Sequence, residues 1–269
     1  MLVKSPKYRK GISSSQVKLL ELLFKFRFMS VPLLSQYLGK DKSTLYERLL
    51  VLGEQGYVRK AYDSSYRLPP RPATYSLAAQ GINYLKNNNP DGRYSEAALQ
   101  NMYKNRSASA MLVDHSLDVF KLCLRLRSLY LDTFDIFSKA EMTKYTAFVR
   151  PRPDIYLRKN NKKKDGRSIH YQLELIEAGT MTWLIRKRIN AHQAWFDENN
   201  EEDWDFEDNY PTLLLVCGNV STEKRVHRLV DEAMLDFALY TTTRERFELG
   251  KNDIWLQYWD EDELQFVGL

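Results

Sequence analysis

The sequence predicts a chain of mixed α and β structure, with two domains that carry opposite charge. Along its 269 residues the hydrophobic pattern changes from helical spacing to short apolar runs, which is typical of helices followed by strands. Residues 87–92, NNNPDG, are rich in turn formers and make the best candidate linker. Residues 1–90 contain 15 Lys and Arg against 5 Asp and Glu, and the rest contains 25 against 30. The formal charges are therefore +10 and −5, which indicates a polyanionic partner for the first part.

The first ninety residues contain the elements of a winged helix-turn-helix in order. Pro32 lies in the first turn of the second helix, and Gly39 and Gly56 end the second and third helices. A strand, a proline-bearing loop and a return strand follow, and another helix closes the pattern. The arm covers residues 1–12, the helices 13–28, 30–39 and 43–55, the strands 57–62 and 73–77, and the closing helix begins at 78. Residues 13–90 thus predict a winged helix-turn-helix domain.

This fold places the N-terminal half of its third helix in the major groove of DNA. Lys, Ser, Thr and Arg side chains bind phosphates, and Arg also pairs with guanine. Pro69, Pro70 and Pro72 stiffen the wing, which lowers the entropy cost of ordering a contact loop. The predicted DNA-binding residues are Lys42, Ser43, Thr44, Tyr46 and Arg48 in the helix, and Arg59, Lys60, Tyr66, Arg67 and Arg71 in the wing.

Some alternatives stay open at these positions. The same fold often serves as a protein-docking module, although the basic wing argues against that. Tyr46 could belong to the core, and Glu47 could pair with a neighbouring basic side chain.

Residues 91–269 predict an α/β domain. The run Leu213–Cys217 is continuously apolar, as expected of a strand buried on both faces. Strands that alternate with covering helices imply layered α/β structure. The predicted helices lie at about 96–130, 181–196 and 223–239, and the predicted strands at 134–137, 155–157, 169–177, 213–217 and near 254–258.

The sequence also excludes several classes of function. Cys123 and Cys217 each stand alone, which predicts reduced core thiols rather than a zinc site. No stretch approaches the roughly 20 apolar residues of a membrane span, so we expect a cytoplasmic protein without a membrane partner. The chain contains neither the phosphate-binding motif GxxxxGK[ST] nor a GxSxG nucleophile elbow.

A series of short motifs from Asp114 onward resembles the replication-relaxation family, winged-helix proteins encoded on plasmids and mobile elements. The resemblance covers nearly the whole chain, including the winged helix. The motifs are HSLDV at 115–119, Glu141, RPD at 152–154, EAGT at 177–180, Lys187 with Arg188, and YPTLLLV at 210–216.

The resemblance implies that the second domain is similar to the PD-(D/E)XK nuclease core. In that core, acidic residues and a lysine hold a divalent ion and activate water, because hard cations prefer carboxylate oxygens. The residues that would fill these places here are Glu141, Asp154, Glu174 or Glu177, and Lys187, with Mg²⁺ as the cofactor if the domain is active.

This chain departs from the nuclease motif at the position of the lysine. The nuclease motif consists of an acidic residue, any residue and a lysine along one strand. Counted from Glu174, the lysine position of this motif is occupied by Ile176. Strand alternation puts Glu174 and Glu177 on opposite faces unless a bulge intervenes. We therefore expect a non-catalytic nuclease-like scaffold that needs no cofactor.

The resemblance further implies an accessory protein of a mobile element, acting in DNA mobilisation or replication. Its partners would be double-stranded DNA and a relaxase, a replication initiator or another DNA-processing protein. The oligomeric state stays open. One alternative is a metal-dependent DNA endonuclease. The second is a transcriptional regulator, which a palindromic target and dimerisation would indicate.

Overall fold

The computed structural model describes residues 11–61, 72–131, 133–146, 148–160, 168–198, 210–251, 253–258 and 265–269. The chain is a mixed α+β protein that divides into two compact units, Met1–Leu117 and Asp118–Leu269. Unit 1 contains 18 Lys and Arg against 8 Asp and Glu, and unit 2 contains 22 against 27, so the charge asymmetry follows this division. None of the described helices is both long enough and apolar enough to cross a bilayer.

Unit 1 has the element order helix, strand, two helices and two hairpin strands that a winged helix-turn-helix requires. Three strands among its described residues form an antiparallel sheet in the order β1-β3-β2. The elements are α1 (Ser14–Phe26), β1 (Met29–Ser30), α2 (Val31–Leu38), α3 (Lys42–Glu54), β2 (Val58–Ala61), β3 (Thr74–Leu77), α4 (Ala79–Asn87) and α5 (Glu96–Tyr103), followed by a 3-10 turn (Lys104–Ser107). The sequence did not predict β1, because two residues are too few for an alternating pattern.

The turn between α2 and α3 is defined by local chemistry at both helix ends. Gly39 adopts a left-handed backbone conformation with φ of 61°, which suits a residue without a Cβ atom. The Asp41 side chain accepts hydrogen bonds from the backbone N–H of Ser43 (2.8 Å) and Thr44 (3.4 Å), which caps α3. These two features fix where α3 begins, and so determine which of its residues reach solvent.

Residues 91–117 belong to unit 1, although the sequence analysis assigned them to the second domain. The Asn89 side chain hydrogen-bonds the backbone of Tyr94 at both N–H and C=O, which holds the turn closed. The Tyr94 ring packs edge-on against Phe24, with centroids 4.9 Å apart. The turn-forming residues 87–92 thus connect two packed helices rather than two domains.

Unit 2 is built on a seven-stranded sheet in the order β10-β9-β8-β7-β6-β5-β4. Strands β6, β7 and β8 are parallel to one another, and the other neighbours are antiparallel. The elements are α6 (Ala110–Leu129, which contains the division between units), β4 (Phe134–Ser138), a 3-10 turn (Glu141–Lys144), β5 (Ile155–Asn160), β6 (Ser168–Ile176), α7 (Thr182–Glu198), β7 (Thr212–Cys217), α8 (Val220–Ala233), β8 (Leu239–Thr243), α9 (Arg244–Leu249), β9 (Trp255–Tyr258) and β10 (Gln265–Val267).

The predicted strand at 213–217 is confirmed as β7, which lies between two parallel neighbours and is almost entirely buried. Helices α7 and α8 pack on β6, β7 and β8 through an apolar core that includes Ile185, Ile189 and Val226. The single helix predicted at 96–130 is two helices, α5 and α6, with a break between them. The Ser109 side chain caps the start of α6 by accepting a hydrogen bond from the backbone N–H of Leu112.

The end of the predicted helix at 223–239 was also wrong. Met234 adopts a left-handed conformation with φ of 47° and ends α8, so residue 239 begins a strand instead.

Candidate functional site

The exposed side of α3 is the first candidate site. Leu45, Leu49 and Leu52 are buried and fix the inner face of the helix. By helical spacing, the outward stripe is then Ser43, Glu47, Leu50 and Glu54, all of them exposed. Ser43 was predicted as a contact residue, a pairing with a neighbouring basic side chain was left open for Glu47, and Leu50 was not predicted. The spacing of four, three and four residues was the signal that could have identified the stripe.

The predicted contact residues of α3 flank this outward stripe. Lys42 is exposed at the first turn, and Thr44 and Arg48 are half-buried on one flank. Tyr46 is 44% exposed on the other flank, so it is not a core residue. The Lys60 ammonium on β2 lies 5.4 Å from the centre of the Tyr46 ring, which connects β2 with α3.

The exposed residues of α3 and β2, with Thr44 and Arg48, form what we call the α3–β2 surface. The predicted wing residues Arg59 and Lys60 lie in β2 and are exposed. The other predicted wing contacts, Tyr66, Arg67 and Arg71, lie outside the described residues.

The cations of the α3–β2 surface differ from Lys18, Lys86 and Arg93 of unit 1 in having no carboxylate partner among the described residues. Lys18, Lys86 and Arg93 lie 3.7, 2.7 and 3.1 Å from carboxylate oxygens of Glu21 or Glu96. Within the described part of the chain, no carboxylate lies within salt-bridge distance of the α3–β2 cations, which are Lys42, Arg48, Arg59 and Lys60. This surface therefore presents positive charge to solvent, where a polyanion can reach it.

A second candidate site lies on the sheet of unit 2, where two predicted acidic residues come together. Strands β5 and β6 pair Ile155 with Leu173, and the same register one residue further on brings Asp154 opposite Glu174. Both carboxylates are buried, with 4% and 2% of each residue exposed. Lys139 approaches from the end of β4, and Arg188 and His192 approach from α7. We call these five residues the carboxylate cluster.

Each carboxylate oxygen of this cluster accepts a hydrogen bond from the protein. Asp154 Oδ1 accepts from Lys139 Nζ at 3.0 Å, and Oδ2 accepts from the backbone N–H of Leu175 at 3.0 Å. Glu174 Oε1 accepts from His192 Nε2 at 3.0 Å, and Oε2 accepts from the Arg188 guanidinium. Paired cations and donors compensate the desolvation of both carboxylates.

The charges in the cluster stabilise each other despite burial. Burial raises the pKa of Glu174, but the hydrogen bond from His192 and the charge of Arg188 together bring this pKa below its ordinary value. Burial lowers the pKa of Arg188, and the nearby Glu174 and Asp154 more than reverse that effect. Glu174 is thus held ionised between a guanidinium and an imidazole.

The other predicted catalytic residues hydrogen-bond groups outside this cluster or are exposed. Glu141 accepts a hydrogen bond from the backbone N–H of Ser138 at 2.8 Å and closes the turn after β4. Glu177 follows β6 and accepts from Arg244 at 3.1 and 3.3 Å. Lys187 is exposed on α7, and the next residue, Arg188, is the one that reaches Glu174. The one-turn spacing of Arg188 and His192 was the sequence signal for this pair.

A divalent ion does not fit the carboxylate cluster in this arrangement. Mg²⁺ requires oxygen ligands that converge on the ion at about 2.0–2.1 Å. Here both carboxylates already accept from donors, and the Lys139 and Arg188 charges lie within hydrogen-bond distance of them. Binding Mg²⁺ would require these cations to move away and leave the buried site.

No protein-family profile and no curated protein matches the chain. A solved structure of a ZitR mutant from Lactococcus lactis is similar over 48% of this chain and 83% of that chain, with 14% sequence identity and a TM-score of 0.27. So low a TM-score carries no argument about fold or function.

Proposed function

We propose that this chain binds double-stranded DNA in a sequence-specific manner through its α3–β2 surface. The observation that carries the proposal is the group of four cations on this surface that lack carboxylate partners among the described residues. Charge that serves only solubility can be paired at the surface, as Lys86 and Glu96 are. Unpaired cations beside an exposed helix in a winged fold provide the contacts that duplex phosphates need.

The contacts divide into two kinds by position. In this proposal the exposed Lys42, Arg59 and Lys60 are the flanking cations, which contact phosphates and so fix the orientation of the protein on the duplex. Thr44 and Arg48 lie in the N-terminal half of α3, the part of such a helix that enters the major groove. The flanking cations thus supply affinity, and α3 supplies sequence preference.

Unit 2 acts in this proposal as a nuclease-like scaffold without catalytic activity. The resemblance to the replication-relaxation family suggests an accessory role on a plasmid or mobile element, in mobilisation or replication. A relaxase, a replication initiator or another DNA-processing protein would be its partner. The carboxylate cluster supports the non-catalytic role, because its oxygens are already bound by Lys139, Arg188, His192 and a backbone N–H.

Fluorescence anisotropy with the full chain and a labelled duplex from its own locus tests DNA binding. We expect the double variant Lys42→Ala/Arg59→Ala to bind more weakly on every sequence, with a salt slope about 2 units smaller than the wild type. The control is Lys18→Ala/Lys86→Ala, which removes the same charge from paired positions of unit 1. Equal loss in the two double variants would contradict the proposed surface.

A metal-dependent endonuclease is the second candidate, because Asp154 and Glu174 face each other across neighbouring strands. Supercoiled plasmid carrying the native locus is incubated with the protein and Mg²⁺ or Mn²⁺, beside an Asp154→Ala variant. We expect no cutting by either protein while DNA binding stays intact. Nicking by the wild type that disappears in the variant would establish the nuclease and overturn the scaffold role.

A further inference from the structure

Glu47 is an unexpected residue on a surface that faces DNA. It lies on the outward stripe of α3, between Ser43 one turn before it and Leu50 one turn after it. Pairing with a neighbouring basic side chain was the simpler interpretation of this residue. Among the described residues, however, no Lys, Arg or His lies within salt-bridge distance of the Glu47 carboxylate. Its negative charge therefore points outward, and no cation of the described residues compensates it.

An uncompensated carboxylate weakens contact with any phosphate backbone, because like charges repel. The carboxylate can face a duplex favourably only where the duplex offers it a hydrogen-bond donor. In the major groove such donors are exocyclic amino groups, and the pairing that carboxylates make there is acceptance from N4 of cytosine.

We propose that Glu47 reads a cytosine by accepting a hydrogen bond from its N4 amino group. This inference rests on the proposed DNA binding, and it names a base that the α3–β2 surface selects. Glu47 is the sixth residue of α3, so it lies in the half of the helix that enters the groove. Leu50 is 49% exposed beside it and excludes water from the contact, which strengthens the hydrogen bond.

The same carboxylate selects against other bases. Guanine and thymine present acceptor oxygens at the equivalent edge, and these would leave the carboxylate desolvated without a donor. Adenine offers its N6 amino group, but the N7 acceptor beside it repels a carboxylate. Glu47 thus lowers affinity for most sequences and lowers it least where cytosine is in place. Specificity of this kind arises from rejection of wrong partners as much as from attraction to the right one.

Selection of bound sites from a randomised duplex library tests the inference with the full chain. The wild type is expected to select cytosine at one position. Glu47→Gln should shift that position toward adenine, since Gln pairs with N6 and N7 of adenine. Glu47→Ala should lose the preference there and retain it at other positions. Glu54→Ala is the matched control, because it removes the same charge from the last turn of α3 and should leave cytosine selected.

A second measurement replaces the selected cytosine with an analogue that lacks the 4-amino group. The wild type should then lose about 5- to 150-fold in affinity, and Glu47→Ala should lose none. Equal losses in the two proteins, or an unchanged cytosine preference in Glu47→Ala, would overturn the role of Glu47 while DNA binding itself stands. Failure of the wild type to bind any duplex would overturn both the inference and the proposed function.

Discussion

The α3–β2 surface of unit 1 and the carboxylate cluster of unit 2 treat charge in opposite ways. On the surface, Lys42 and Arg59 are exposed and lack carboxylate partners among the described residues. The acidic Glu47 likewise has no cationic partner among these residues. In the cluster, Glu174 is buried and bound by Arg188 and His192. The surface charges have no partner among the described residues and are available to a polyanion, whereas the cluster charges are satisfied within the fold.

The difference has an energetic consequence that mutation can measure. Removing an exposed, unpaired charge changes the free energy of folding little, because solvent screens it in both states. Removing one member of a buried pair leaves the other charge desolvated. Variants of the first kind should therefore change DNA binding but not stability, and variants of the second kind should change stability first.

The largest expected effect is on the stability of unit 2 when Arg188 is replaced. Arg188→Met leaves the fully buried Glu174 carboxylate with only His192, and we expect a loss of about 3–5 kcal/mol in the free energy of unfolding. Urea unfolding followed by tryptophan fluorescence measures it. All five tryptophans of the chain lie within residues 118–269, so this signal reports unit 2 alone.

Arg186→Met is the matched control on the same helix. Arg186 pairs with Glu232 at 2.6 Å, but both side chains are about half exposed, so we expect a loss of at most about 1 kcal/mol. The double variant Arg188→Met/Glu174→Met should recover part of the stability that Arg188→Met loses, since it removes both buried charges. If Arg186→Met and Arg188→Met lost similar amounts of unfolding free energy, burial would not make the Arg188–Glu174 ion pair more important for stability than the exposed Arg186–Glu232 pair.

The next effect in size is the response of unit 2 to acid. The pKa of Glu174 is lower in the folded protein than in the unfolded chain, where it is about 4.3. The stability that this group contributes is therefore fully present above pH 4.3 and is lost as the pH falls through the folded value, by at most about 1.4 kcal/mol per pH unit.

Arg188 helps to depress that pKa, so Glu174 of Arg188→Met takes up a proton at a higher pH, and the difference in unfolding free energy between the two proteins should narrow as the pH falls. Urea unfolding of both proteins at pH 7, 5, 4 and 3 tests this. A difference that stays constant over that range would show that the ion pair does not carry the contribution.

A region could be predicted from the sequence where the residues that determine its structure lie close together in the chain. The start and end of α3 were predicted to within one residue, because the buried leucines and the Asp41 cap are all encoded within the helix or next to it. The same spacing contains the outward position of Glu47, although that position was not predicted. No strand was predicted at β8 (Leu239–Thr243), because its run of threonines does not look like a buried strand and is buried only through its neighbours β7 and β9.

The carboxylate cluster depends on contacts distant in sequence. Asp154 and Glu174 were selected from motifs, but the register of β5 and β6 brings them together. Lys139 was not predicted at all, since only the pairing of β4 with β5 places it beside Asp154. The sequence gives no sign of that register, whereas it does show Arg188 and His192 one turn apart.

The smallest expected effect concerns Tyr46 and Lys60, which connect the two elements of the α3–β2 surface. The Lys60 ammonium lies 5.4 Å from the centre of the exposed Tyr46 ring, a contact worth about 0.5–1 kcal/mol at an exposed site. If the ring positions Lys60 for a phosphate, Tyr46→Leu should weaken duplex binding by up to that amount on every sequence. Lys60→Met should weaken it somewhat more and lower the salt slope by about 1 unit.

The double variant Tyr46→Leu/Lys60→Met separates this positioning role from a direct base contact by Tyr46. If the Tyr46 ring acts only by positioning Lys60, the double variant should bind DNA no more weakly than Lys60→Met alone, because the ammonium that the ring positions is already absent. Additive losses, together with a changed sequence preference in Tyr46→Leu, would instead mean that Tyr46 contacts bases itself. Neither change should alter the urea unfolding of unit 2, since both side chains lie in unit 1.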